Sequence, residues 1–382
     1  MIAQTTSEPK KTSHKTMIIV ALLVVVAIFV IMAGCLMLNE PKMQESAYVD
    51  IDAELKNPDE DVVKIGSAHF SDVPFELNDG WYYVIDSFTL TDDLIINGNV
   101  KIILKNNVVL DARIKVVPES ELYIYSQSWD AETIGKLSST SNTISLTDNS
   151  TLTNTAAISS LSGNCINGTG TVTITNGVTG TIHGHERGIS FNGNGNIINH
   201  GDIMSKDTSG GHAIYSDAPA IDVTNEEFGL IRGPISIGVS NTTKVTLVNK
   251  SMIDGKVELD NIAGDVTFVV GEMSGNRSAI LDDFALRGNE STLRFTGDLE
   301  NPLARSLVTG SMDIGEGVTA VSIDVGKLTT KLKVGDIRTL VQSDVSIVGT
   351  PLNATFSDGG YSFEIFIDDN QLNIRVSNVP SS

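Results

Sequence analysis

The chain has 382 residues, and its 47 Asp and Glu residues against 26 Lys and Arg give a formal net charge of −21. An acidic surface repels phosphate backbones, so the composition argues against nucleic acid as a partner. The hydrophobic share of 41% argues against a disordered chain, and two cysteines are too few for a disulfide framework or a Cys-rich zinc site.

The first feature along the chain is an uninterrupted apolar run from Met17 to Leu38, preceded by Lys10, Lys11 and Lys15. At 1.5 Å per residue such a run spans about 33 Å, enough to cross a bilayer core. The run therefore predicts one transmembrane helix over residues 17–38, used as a signal anchor. The preceding lysines place the tail 1–16 in the cytoplasm and the rest of a single-pass protein outside, at the cell surface.

Two other interpretations of the run remain open. Met32-Ala33-Gly34-Cys35 resembles the cleavage box of bacterial lipoproteins, in which the cysteine takes the lipid, so Cys35 is a possible lipidation site. The run could also be an ordinary cleaved secretory signal, although it is longer than a typical signal core. All three interpretations export the rest of the chain.

Residues 39–78 are acidic, weakly periodic and interrupted by Pro41, Pro58 and Pro74, which is typical of a tether. From Trp81 onward, short β-rich runs alternate with turn formers such as Asn97-Gly98. No amphipathic helical stretch interrupts these runs, which excludes a fold of alternating strands and helices. Trp81 and its two tyrosine neighbours are interpreted as a packed cap, with a sugar-stacking platform as the alternative.

A repeat is the most informative signal. Five short runs end in asparagines that are 22, 23, 26 and 24 residues apart, at Asn154, Asn176, Asn199, Asn225 and Asn249. A second element with a central isoleucine follows the last four, as in Gly180-Thr-Ile182, and a third, less regular element comes next. Three short strands per period predict one coil of a β-helix.

The physics of stacked coils accounts for this composition. Coils stack at about 4.8 Å, and alternate residues of each strand point inward. Asparagine tolerates the bend at a corner, and stacked asparagines can form a hydrogen-bonded ladder. We therefore expect an all-β, right-handed parallel β-helix over residues 79–290, followed by C-terminal β-rich coils and a cap over 291–382. Residues 361–376 read as a hairpin that could close the stack.

The runs Asn199-His-Gly-Asp-Ile203 and Asn225 to Ile231 resemble passenger regions of bacterial autotransporters and related adhesins. The segment from Tyr82 to Leu137 likewise resembles solenoid segments of large bacterial surface proteins. The resemblance is architectural and implies a β-helix with a surface or adhesive role, without specifying an activity. One departure from that family is the absence of a series of lipid-facing strands after the repeat, so a translocating barrel is not expected.

The β-helix scaffold also carries polysaccharide-cleaving enzymes, which need clustered acids and bases. The candidate catalytic residues are two acids and three histidines, namely Asp202, Asp217, His183, His200 and His212. Aligning the coils places His183 beside Met204 and Arg232 and His212 beside Arg187, so the histidines are predicted to occupy different places around the coil.

The sequence thus predicts a membrane-anchored, exported, non-catalytic surface protein with an adhesin-like binding or structural role. A polysaccharide-active lyase or glycoside hydrolase is the alternative. Neither a cofactor nor a metal is expected. The expected partners are the membrane, through residues 17–38, and a glycan or protein ligand on the solenoid face.

Overall fold

The computed structural model describes residues 45–69, 75–242, 244–259, 265–271, 278–288, 290–296, 307–324 and 332–380. Within these ranges the chain is almost entirely β-structure and winds as a parallel β-solenoid. Each coil runs through three faces in the same order, called face 1, face 2 and face 3 below. No helix among the described residues is long and apolar enough to cross a membrane. The predicted tail 1–16, the segment 17–38 and Cys35 lie outside the described residues.

Face 1 is a continuous stack of short parallel strands. Eleven steps of about 4.8 Å between its strands give a stack about 53 Å long. In chain order the strands of face 1 are Val62–Ile65, Gly80–Val84, Asn99–Leu104, Glu121–Ser126, Ser150–Asn154, Val172–Asn176, Gly195–Asn199, Ala220–Asn225, Lys244–Asn249, Asp265–Val270, Glu290–Phe295 and Thr319–Ile323.

Faces 2 and 3 form separate stacks in the early coils and merge in the later ones. The strands of face 2 are Phe88–Thr89, Val109–Asp111, Lys136–Ser139, Ala157–Ser160, Thr181–Gly184 and Asp202–Ser205. Those of face 3 are Phe75–Leu77, Leu94–Ile96, Ile114–Val116, Ile144–Leu146, Asn164–Gly168, Arg187–Phe191 and His212–Ser216. Four longer strands bend around the corner and serve both faces, namely Leu230–Val239, Met252–Leu259, Ala279–Leu286 and Leu307–Ile314.

The core lies inside the coils, because every second residue of a strand points inward. On face 1, one inward column is apolar and fully buried from coil to coil: Leu122, Leu152, Ile174, Ile197, Val223, Leu247, Phe268, Leu293 and Val321. Stacking buries this column because no single coil could bury it alone. The predicted β-helix is therefore confirmed at the level of a parallel solenoid.

The five asparagines of the repeat stack in register at the corner between faces 1 and 2, where all five are buried. Each Nδ2 donates to the Oδ1 of the next asparagine, at 2.9 to 3.0 Å, from Asn154 through Asn176, Asn199 and Asn225 to Asn249. The Nδ2 of Asn249 then donates to the Oγ of Ser278 at 2.8 Å. The ladder ends there because Val270 holds the next equivalent position.

The N-terminal part of the described chain departs from the prediction of a tether over 39–78. Strands Tyr48–Val49, Leu55–Lys56, Val62–Ile65 and Phe75–Leu77 lie within that range, with a short 3-10 turn at Ser67–His69. Val62–Ile65 already pairs with face 1, and Phe75–Leu77 with face 3, so the solenoid begins before residue 79. Acidity and prolines suggested a tether, but Pro58 falls between the strands Leu55–Lys56 and Val62–Ile65.

Residues 46–56, called the strap, pack on the outside of face 1. The centroid of the Tyr48 ring lies 5.0 Å from that of Trp81 and 4.3 Å from that of Tyr125. All three rings are largely buried. The carboxylate of Asp50 accepts hydrogen bonds from the backbone N–H groups of Asp52 and Glu54, which closes the turn between the two strap strands. Trp81 is therefore packed beneath the strap.

The predicted C-terminal hairpin is confirmed, with antiparallel strands Tyr361–Asp368 and Gln371–Asn378. Strands Ile337–Ser343 and Thr355–Asp358 complete this cap, and Ile337–Ser343 joins it to the last bent strand. The side chain of Asn353 exchanges two hydrogen bonds with the backbone of Val321, at 2.8 and 2.9 Å. This contact covers part of the outer edge of the last face 1 strand, an edge that would otherwise invite strand pairing.

Candidate functional site

On face 2 the structure joins two of the candidate residues. The Nε2 of His183 lies 2.8 Å from the Oδ2 of Asp202, and the Nε of Arg232 donates to the Oδ1 of Asp202 at 3.1 Å. The three residues come from three successive coils, with His183, Met204 and Arg232 in register as the alignment of coils predicted. The alignment of the coils did not reveal that the Asp202 side chain lies between those of His183 and Arg232.

The surroundings of Asp202 favour its charged form. Burial raises the pKa of its carboxyl, but the hydrogen bonds from His183 and Arg232 outweigh this effect and hold the pKa below its usual value. The side chains of His183 and Asp202 are mostly covered, at 21% and 17% exposure. Both carboxylate oxygens of Asp202 already have partners, so His183, Asp202 and Arg232 together link three successive coils. These three residues are called the clamp below.

His212 lies on face 3, in register with Arg187 as predicted. The centroids of the His212 and Tyr215 rings lie 5.1 Å apart in an edge-to-face arrangement. The guanidinium carbon of Arg187 lies over the face of Tyr215, 3.9 Å from the ring centroid. Burial, and then the charge of Arg187, lower the pKa of His212, against a smaller opposing effect of a hydrogen bond with the Gly210 backbone. Tyr215 therefore has one face already occupied by a cation.

The last two candidates lie elsewhere around the coil. His200 directly follows the corner asparagine Asn199, and its backbone N–H donates to the Asn176 carbonyl at 2.8 Å. Asp217 follows face 3, where its Oδ1 accepts a hydrogen bond from Asn241 at 2.9 Å. Of the five candidates the structure thus brings together only His183 and Asp202. Across the described residues no three His, Cys, Asp or Glu side chains are grouped as metal ligands would be.

Face 1 carries a second feature, which contains none of the five catalytic candidates and is called the threonine platform below. Two outward columns stand side by side in register across seven coils. The first column is Thr151, Thr173, Asn196, Asp222, Thr246, Thr267 and Thr292, and the second is Thr153, Thr175, Ile198, Thr224, Val248, Val269 and Arg294. The signal in the sequence was the Thr-x-Thr alternation in the runs that end at Asn154 and Asn176.

The platform presents a regular array of hydroxyl and methyl groups. β-Branched side chains have few rotamers, and each strand is fixed by hydrogen bonds on both sides, so the array is stiff. At its C-terminal end the platform borders an open groove of about 540 Å³, lined in part by Asp265, Thr267, Glu290 and Leu352. Hydroxyl and carboxylate groups of this kind suit hydrogen bonding to a polar ligand.

Cys165 and Asn249 both have buried side chains. Cys165 is fully buried, and burial raises the pKa of its thiol, so it is placed as an inert core residue. Asn249 heads an Asn-x-Ser sequence, but its side chain is buried in the ladder.

The chain matches no protein-family model, no curated protein and no solved structure. What the structure shows of the resemblance to autotransporter passengers and adhesins is the parallel β-solenoid architecture.

Proposed function

We propose that this protein is a membrane-anchored, exported, right-handed β-solenoid that binds an extracytoplasmic ligand without transforming it. Residues 17–38 would hold it in the membrane with the tail 1–16 in the cytoplasm, or Cys35 would carry a lipid after cleavage. The right hand follows the strong preference of parallel strand connections. The role is adhesin-like, or structural within an envelope.

The threonine platform is the observation that carries the proposal. A rigid surface loses little conformational freedom on binding, so even modest contacts yield useful affinity. Its hydroxyl groups both donate and accept hydrogen bonds, and its Val, Ile and Thr methyl groups offer apolar contact. These properties favour a neutral glycan, or a protein with a flat polar surface. The formal charge of −21 disfavours nucleic acid.

The test is ligand binding by the full chain in lipid nanodiscs on an array of polysaccharides and surface proteins. Thr173→Arg places a long charged side chain on the second coil of the platform. Ser138→Arg is its matched control, because Ser138 is similarly half-exposed but lies on face 2, two coils before the coil of Thr173. We expect Thr173→Arg to weaken binding at least tenfold and Ser138→Arg to leave it unchanged. Equal affinities of the two variants would show that the platform is not the binding surface.

The contact between His183 and Asp202 supports a second candidate, a polysaccharide-active enzyme. A histidine beside a carboxylate can serve as a base, although Asp202 is here also held by Arg232. Release of new reducing ends or unsaturated products, lost in His183→Ala, would establish this candidate. Binding without product release would favour the first.

A further inference from the structure

Phe228 is an exposed aromatic residue whose position and backbone conformation the packing of the solenoid does not explain. Its side chain is 73% exposed, more than any other large hydrophobic side chain described. Its backbone has a φ of +73°, in the left-handed region that bulky residues avoid. The other described non-glycine residues with positive φ are smaller or polar: Ala53, Asn107, Glu119, Asn149, Asn241 and Asp369. Phe228 thus combines an unfavourable backbone with an unburied aromatic ring.

The turn that carries Phe228 is longer than the corner requires. Four residues separate Asn225 from the next strand at Leu230, as after Asn176, whereas two residues make the same corner after Asn199 and after Asn249. The turn is closed by a hydrogen bond from the Gly229 N–H to the Glu226 carbonyl at 2.9 Å. The extra residues project the Phe228 ring from the solenoid. A strained backbone whose side chain is not buried in the core is typical of functional sites.

The C-terminal cap contains a pocket of matching chemistry. Its volume is about 220 Å³, and its lining includes Pro351, Ala354, Ile365, Phe366 and Ile367. An apolar cavity of about 150 Å³ is enough to take up a benzene ring. The cap pocket is therefore large enough for one phenylalanine side chain.

Charges beside the two features are complementary. Glu226 and Glu227 directly precede Phe228 in its turn. The Arg375 guanidinium lies over the Phe366 ring at 5.1 Å and is about half exposed. The Glu226 carboxylate is largely covered and is bound by the Lys250 ammonium at 2.7 and 2.8 Å, whereas Arg375 makes only a longer contact of 3.4 Å with Glu364. An approaching acidic turn would meet a cation beside the pocket.

We propose that Phe228 of one copy of this chain inserts into the cap pocket of a second copy. The contact joins different surfaces of the two copies, and such contacts can extend into chains of molecules unless symmetry closes them. Anchoring in one membrane raises the local concentration of copies, so that a contact built on one aromatic ring becomes populated. The protein would then act as an array, independent of which ligand its platform binds.

The experiment places the photoreactive residue p-benzoylphenylalanine at position 228 of the full chain in membranes of expressing cells. Irradiation is expected to give a crosslinked dimer, with the attachment mapped to residues 349–354 or 365–367. Mixing isotopically heavy and light copies establishes that the crosslink joins two chains. The control places the same residue at Leu161, which is 64% exposed at another corner. No dimer from position 228, attachment outside the cap, or crosslinks only to lipid or to other proteins would overturn the proposal.

Two substitutions provide a second test in full chain reconstituted into lipid vesicles, where the copies share one membrane. Phe228→Gly removes the ring and suits the positive φ, and Ala354→Phe fills the pocket. Each variant alone is expected to lose association at least tenfold, measured as energy transfer between fluorescently labelled copies, with no fall in the unfolding temperature for Phe228→Gly. An equal mixture should recover pairing, because the mixture retains one intact ring and one intact pocket. Unchanged association of Phe228→Gly, or no recovery in the mixture, would contradict the proposed contact.

Discussion

Replacing Asn199 by alanine tests the asparagine ladder at its middle. The Asn199 Nδ2 donates to the Asn225 Oδ1 at 2.9 Å and to the Gly201 carbonyl at 3.1 Å. Its Oδ1 accepts from the Asn176 Nδ2 at 3.0 Å. The Nδ2 also reaches the Leu230 carbonyl at 3.3 Å, so its two protons are shared among three acceptors. The substitution removes all of these hydrogen bonds from a fully buried corner.

The magnitude follows from what remains unpaired. Asn176 keeps a hydrogen bond to the Gly180 carbonyl, and the Gly201 carbonyl keeps one from the Leu230 N–H. The Asn225 Oδ1 loses its donor inside the core. Three net hydrogen bonds at about 1 kcal/mol each, and an additional cost for one unpaired buried acceptor, predict a loss of about 3–5 kcal/mol in the free energy of unfolding.

The assay is urea unfolding of residues 46–382, followed by circular dichroism, with hydrogen exchange of the neighbouring coils. Asn196→Ala is the matched control, because Asn196 lies on the same strand but is exposed on the platform. The control is expected to change the free energy of unfolding by less than about 0.5 kcal/mol. A cost for Asn199→Ala within 1 kcal/mol of the control would refute the stabilising role assigned to the ladder.

Three further predictions concern the clamp, face 3 and the strap. Asp202→Asn should lower stability by about 1–3 kcal/mol at pH 7, and the difference from wild type should shrink as pH falls below about 3.8 and be lost only below the depressed pKa that Asp202 has in the folded chain. Parallel unfolding of the exposed variant Asp222→Asn is the control. His212→Gln should gain stability relative to wild type below about pH 6.5, because the lowered pKa of His212 makes its protonation favour the unfolded chain; a difference independent of pH would contradict this. Tyr48→Ala should cost about 3 kcal/mol and expose the strap to proteases, whereas Leu55→Ala on the same strap should leave cleavage rates unchanged.

The regular part of the fold could be predicted because its cause is local and repeated. The Asn spacing and the isoleucine that follows each corner set the period, and the period sets which residues are neighbours in successive coils. The positions of His183 beside Met204 and of His212 beside Arg187 followed from that register alone. The turn at 368–370 between two alternating runs similarly predicted the C-terminal hairpin.

The features that could not be predicted from the sequence depend on contacts that do not repeat from coil to coil. Tyr48 reaches Trp81 and Tyr125 across the outside of the stack, through a strand of only two residues. The Asp202 clamp depends on side-chain directions between columns rather than on register. The left-handed backbone at Phe228 does not follow from the length of its turn, because the equally long turn over residues 177–180 has no residue with positive φ. Irregular features of this kind have no counterpart in adjacent coils from which to be inferred.

The central claim, an exported solenoid held by residues 17–38, is tested most directly by translating the full chain in the presence of microsomes. Asn149 and Asn241 head Asn-x-Thr sequences at exposed turns, so they report on whether the solenoid enters the lumen. The proposal predicts a chain that is glycosylated, resistant to external protease beyond its N-terminal tail, and retained in the membrane after alkaline extraction. An unglycosylated chain that is fully digested outside the microsomes would contradict it.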